Sequence, residues 1–73
     1  MSQILKIELD READGRWIAD VPELPGVLVY GDTREHALQA VQALALRVIA
    51  DKIEQGELRA GAFKVAFKPP VAA

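Results

Sequence analysis

Two prolines and a glycine crowded into Val21-Pro22-Glu23-Leu24-Pro25-Gly26 constrain this chain more than any other feature. Proline has no N–H to give a ladder and fixes its own φ, so a strand that enters this segment has to stop there. Before it, Trp17, Ala19 and Val21 fall on one face of an extended segment, with Arg16 and Asp20 on the other. After it, Val27-Leu28-Val29-Tyr30 is apolar on both sides. The segment therefore predicts two strands joined by a rigid turn.

The flanking sequence supplies the remaining elements. Leu5, Ile7 and Leu9 alternate with Lys6, Glu8 and Asp10, the period of a strand with one buried face. Arg11-Glu12-Ala13-Asp14-Gly15 is a polar connection whose Asp-Gly favours a hairpin. Gly31-Asp32-Thr33 marks a helix start, with Thr33 the better N-cap, Asp32 the second choice and Glu35 suited to the first turn. No proline or glycine interrupts Arg34 to Gln55. Leu38, Val41, Ala45 and Val48 form one helical stripe, and Leu46, Ile49 and Ile53 form a second. Gly56 is a natural terminator. Phe63, Val65 and Phe67 then alternate with Lys64 and Lys68 before Pro69-Pro70, which predicts a last strand.

The expected fold is α+β in the order β-β-β-α-β. Three strands make an antiparallel meander, and a right-handed crossover through the helix returns the fourth beside the first. This gives a mixed four-stranded sheet of order 3-2-1-4 with one helix on one face. The other face then exposes Ile4, Ile18 and one side of Val27–Tyr30 among charges, a pattern typical of an association surface. A homo-oligomer, dimer or tetramer, is expected. At 73 residues the chain is one small domain, 1–73, and half its residues are apolar, enough for a core of modest stability. A net charge of −2 argues against an electrostatic grip on nucleic acid and suits a basic partner. The absence of cysteine excludes disulfides and thiolate metal sites. With no signal-like N-terminus and no apolar run near the roughly 18 residues that span a bilayer, a cytoplasmic location is expected.

Arg16-Trp17-Ile18-Ala19-Asp20-Val21-Pro22-Glu23-Leu24-Pro25-Gly26, followed by Tyr30-Gly31-Asp32-Thr33-Arg34-Glu35 and an Ala-rich helix, resembles the HicB-like antitoxin family. The resemblance runs from about Ile4 to Gly56 and more loosely to Phe67. It implies a partial ribonuclease-H-like fold and a type II toxin–antitoxin function. In such systems the antitoxin covers the active site of a small, basic, RNA-cleaving HicA-type toxin. Many members also carry a C-terminal helix-turn-helix or ribbon-helix-helix segment that represses their operon. Only Lys68 to Ala73 follows the last predicted strand here, so a short form without direct DNA binding is expected. His36 also stands where a glutamate would complete a capping box with Thr33.

The residues themselves offer little catalytic chemistry. A two-metal nuclease needs several carboxylates converging on one pocket. Glu8, Asp10, Asp20 and Asp51 are the candidates, and Glu8 and Asp10 share a sheet face. A solvated face with Lys6 and Arg16 as neighbours explains them more simply. His36 has no Ser, Cys or His partner suggested by spacing. Phe63 and Phe67 interleave with Lys64 and Lys68 in a way that suits RNA stacking, but the aromatics fall on one strand face and the lysines on the other. The chain is therefore expected to bind a partner rather than to catalyse, with no cofactor and no metal. The residues expected to meet that partner are Trp17, Ile18, Glu23, Leu24, Leu46 and Ile49. The alternatives are an orphan oligomeric domain without a toxin, and an RNA- or nucleotide-processing module with residual ribonuclease-H-like chemistry.

Overall fold

The structure, a computed structural model, describes residues 2–58 and 64–70. Its elements are β1 (Ser2–Lys6), β2 (Glu8–Arg11), β3 (Trp17–Asp20), β4 (Leu28–Gly31), α1 (Arg34–Glu54) and β5 (Lys64–Lys68). The fold is a small α+β unit with one helix. β2, β3 and β4 form an antiparallel ladder, while β1 and β5 form a parallel pair. Phe63, expected to open the last strand, lies outside the described residues.

The first predicted strand is divided at Ile7, and the expected single sheet becomes two ladders. Prolines on both sides explain the division. The β2–β3 ladder ends at the Glu8–Asp20 pair, because β3 runs through Val21 into Pro22. The β1–β5 ladder ends at Lys6–Lys68, because Pro69 follows. Neither neighbour can continue to donate along the ladder. At Ile7 the chain changes partner, its N–H still reaching the Lys68 carbonyl at 3.0 Å.

The double-proline segment consists of two tight turns in series. The Leu24 N–H donates to the Val21 carbonyl at 2.9 Å, and the Val27 N–H donates to the Leu24 carbonyl at 3.1 Å. Pro22 and Pro25 each occupy the second position of a turn, where a fixed φ near −65° is an asset. Gly26 adopts φ +86° at the third position of the second turn, a conformation L-residues rarely take. Between the turns Leu24 folds back and is buried against the core.

Thr33 caps α1 from an extended backbone, its Oγ1 accepting the His36 N–H at 3.0 Å. At the other end Gly56, at φ +78°, donates to Ile53, and Glu57 donates to Lys52, closing the last turn. The helix lies on β4 and β3 and reaches β2. Its buried line is Ala37, Val41, Ala45 and Ile49, with Leu38, Leu44, Val48 and Ile53 half-buried beside it. This rotates the helix from the predicted stripe of Leu38, Val41, Ala45 and Val48. Close approach at one point accounts for the rotation. A Cβ built on Gly31 would lie 2.6 Å from the Ala37 backbone nitrogen, so only small residues fit where β4 meets the helix. Leu5, Val21 and Val41 are the largest fully buried side chains of the core. Each such side chain contributes about 1.5–3 kcal/mol relative to exposure.

Candidate partner-binding surface

The strands alternate, so the residues facing away from α1 form a second surface. Register places Glu8, Asp20 and Leu28 in one row across β2, β3 and β4, and Asp10, Ile18 and Tyr30 in the next. Ile4 and Lys6 lie on the corresponding face of β1, beside Ala66 and Lys68 of β5. Ile4 keeps 67% of its surface exposed, Leu28 48% and Tyr30 47%; Ile18 is half-buried. Large apolar side chains therefore alternate with charges on the outward faces of both ladders.

The charges are unevenly satisfied. Arg16 is held by Asp14, whose Oδ1 accepts its backbone N–H at 3.1 Å and whose Oδ2 accepts its Nε–H at 2.8 Å. That backbone hydrogen bond above all holds the Asp14 carboxyl below its ordinary range. The guanidinium's hydrogen bond and charge add to it against an opposing desolvation effect. So oriented, the Arg16 guanidinium lies over the Tyr30 ring, 4.5 Å from its centroid. Glu8, Asp10 and Asp20 have no such partner among the described residues. The ion pairs among the described residues are Asp14–Arg16 and Lys52–Glu57. Glu8 and Asp20 face each other directly across the ladder, an arrangement that costs stability unless a cation relieves it.

The residues expected to contact a partner do not converge. Leu24 and Ile49 are in the core and offer no surface. Trp17 is half-buried on the covered side, with Arg11 over its ring at 5.6 Å. Glu23 is exposed on the turn, and Leu46 is 46% exposed on the helix. Of that set only Ile18 belongs to the open sheet face. Leu28, Tyr30 and Arg16 complete the surface. Their period-2 placement was the available signal, but the wholly apolar run Val27–Tyr30 hid which side faces outward.

The nuclease candidates separate as well. Glu8, Asp10 and Asp20 share the open face, but Asp51 is on the exposed side of α1, where its carboxylate accepts from Gln55 Nε2 at 3.1 and 3.2 Å. Among the described residues no group of three or more His, Cys, Asp or Glu is arranged to hold a metal ion. His36 is exposed beside a shallow groove it shares with Tyr30, Gly31, Asp32, Gln39 and Ala40. Phe67 and Val65 turn toward the core and are half-buried. No helix among the described residues is long and apolar enough to cross a membrane. The chain matches no family model, no curated protein and no solved structure.

Proposed function

We propose that this chain is a HicB-like antitoxin domain of a type II toxin–antitoxin system, acting in the cytoplasm to bind a small RNA-cleaving HicA-type toxin and block it sterically. The observation that carries this reading is the open sheet face, where Ile18, Leu28 and Tyr30 stand among Glu8, Asp10 and Asp20, carboxylates with no ion-pair partner among the described residues. A basic partner relieves the Glu8–Asp20 repulsion and covers the apolar side chains in one step. The chain itself performs no catalysis in this role. The same reading treats the two ladders as one split sheet of partial ribonuclease-H-like form, in the order 3-2-1-4 when β1 and β2 count as one strand. In its support, a single residue separates β1 from β2, and the Ile7 N–H carries the bonding to β5 one step past the β1 ladder.

A second reading draws on the same carboxylates, since a face with Glu8, Asp10 and Asp20 is also where residual ribonuclease-H-like chemistry would reside. One set of measurements separates the two. Mixed with the basic chain encoded beside its own gene, the protein is expected to form a complex and to stop that chain from cleaving RNA. Asp20→Lys is expected to weaken the complex at least about tenfold, and added salt to weaken the parent complex. A complex indifferent to Asp20→Lys and to salt would rule out this face. Absence of any basic neighbour would point to an orphan domain. RNA cleavage by this protein with magnesium, abolished by Asp10→Asn, would replace the antitoxin reading with the nuclease one.

A further inference from the structure

β5 and β4, each at an edge of its ladder, are finished differently. β5 ends on the exposed Lys68 and runs directly into Pro69-Pro70, features that discourage another strand from adding to an edge. β4 has none of them. Its sequence is Leu-Val-Tyr-Gly, and no described residue pairs with its outer side. The Val21 N–H donates to the Val27 carbonyl at 3.0 Å, so the inward-bonded pairs of the β3–β4 ladder are Val21–Val27, Ala19–Val29 and Trp17–Gly31. By the same alternation the backbone groups of Leu28 and Tyr30 point outward. The Leu28 N–H is engaged locally by the Gly26 carbonyl at 3.1 Å. The Tyr30 N–H and the Leu28 carbonyl have no partner among the described residues and are open to a neighbour. The groove along this edge is open, bordered on the helix side by His36, Gln39 and Ala40.

We infer that β4 pairs antiparallel with β4 of a second copy about a twofold axis through Val29, joining two β2-β3-β4 ladders into one six-stranded sheet. Charge selects both the occupant and the register. With Val29 opposite its mate, each Tyr30 lies opposite the other copy's Leu28, and the Tyr30 N–H donates to that Leu28 carbonyl. The row Glu8–Asp20–Leu28 of one copy then continues into the Tyr30–Ile18–Asp10 row of the other. The Arg16 guanidinium over each Tyr30 ring is brought to within about two strand spacings, roughly 10 Å, of an Asp20 that has no ion-pair partner among the described residues of its own chain. Sliding the register one way sets Tyr30 against Tyr30 and stacks two Arg16 cations side by side. Sliding it the other way sets Leu28 against Leu28 and draws the two Glu8–Asp20 rows together. A self-complementary edge of this kind closes at two copies. The pairing gives physical form to the self-association expected from the sequence, and it does not depend on whether the sheet face takes a toxin.

The test uses the purified full chain alone. Sedimentation across a concentration series is expected to show a dimer. A sample mixed from labelled and unlabelled chains is expected to give an intermolecular contact between the two Val29 Hα protons, which face each other in a non-hydrogen-bonded pair. Tyr30→Pro removes the outward N–H together with the ring beneath Arg16, at an edge position where proline is tolerated, and is expected to weaken dimerisation about tenfold to a hundredfold. Arg16→Glu leaves the strand intact and is expected to weaken it in the same direction, and the effect should diminish with salt. A monomer at every concentration would overturn the inference. So would a dimer that lacks the Val29 contact, or one that a folded Arg16→Glu chain forms undiminished.

Discussion

Ile4 and Leu5 are neighbours on β1, similar in size and hydrophobicity, yet Ile4 is 67% exposed while Leu5 is fully buried. The contrast extends along every strand. Toward α1, the sheet presents Leu5, Ile7, Ala19, Val21 and Val27, all buried and without a charge. Away from it, the same strands present Lys6, Glu8, Asp10 and Asp20 around Ile4, Leu28 and Tyr30. One face is defined by volume and the other by charge. The two should respond to substitution on different scales. Leu5→Ala removes methyl groups from a closed space and is expected to cost about 2–5 kcal/mol in denaturant unfolding, whereas Ile4→Ala should stay within about 0.5 kcal/mol. Both are best measured at protein concentrations low enough to keep the chain monomeric. Equal losses would mean that the second face is also packed.

The covered face can be probed a second way, by adding an atom where the layers meet. Gly31 has an ordinary backbone conformation, so the cost of a side chain there is steric. Its Cβ would meet the Ala37 nitrogen at 2.6 Å and the Ala37 Cα at 2.9 Å, both backbone atoms that cannot rotate aside. Gly31→Ala is expected to cost about 1–3 kcal/mol, lowering the thermal midpoint by several degrees in a domain this small. If the variant is as stable as its parent, helix and sheet do not approach at this point as closely as described.

The same contrast explains which parts of the fold could be read from the sequence. The period-2 runs, the Thr33 cap, the uninterrupted helix and the Gly56 terminator are local signals, and they mark real elements. The rotation of α1 was not legible, because the Gly31–Ala37 approach is a tertiary fact that overrides the larger residues of the Leu38 stripe. The break at Ile7 was not legible either, although both of its causes, Pro22 and Pro69, stand in plain view. Only the register shows that they end two different ladders at the same level on either side of Ile7. For the surface, alternation identified Ile18 but could not say that Leu24 folds inward between its prolines. Nor could spacing along the chain reveal that Arg16 reaches across to Tyr30 on β4.

The weakest effect belongs to the open face and tests whether its one organised charge is organised as described. Asp14 accepts the Arg16 backbone N–H, which is the main cause of its depressed carboxyl pKa. A group whose folded pKa lies below its unfolded value stabilises the fold fully above the unfolded value. That contribution disappears as pH falls through the lower, folded one. The stability difference between the parent and Asp14→Asn is therefore expected to be small at neutral pH and to vanish in strong acid. It stays small because Asp14 and Arg16 are both more than half exposed to solvent. A site-resolved reading is more sensitive than stability. In a carboxyl-detected NMR titration Asp14 should titrate below an ordinary aspartate, and the Arg16 Hε and Tyr30 ring resonances should move with it, because Arg16 joins the two. An Asp14 that titrates at the ordinary value, or a Tyr30 ring that ignores its titration, would mean that Arg16 is not fixed. The charge that aligns one β4 edge with another would then be lost.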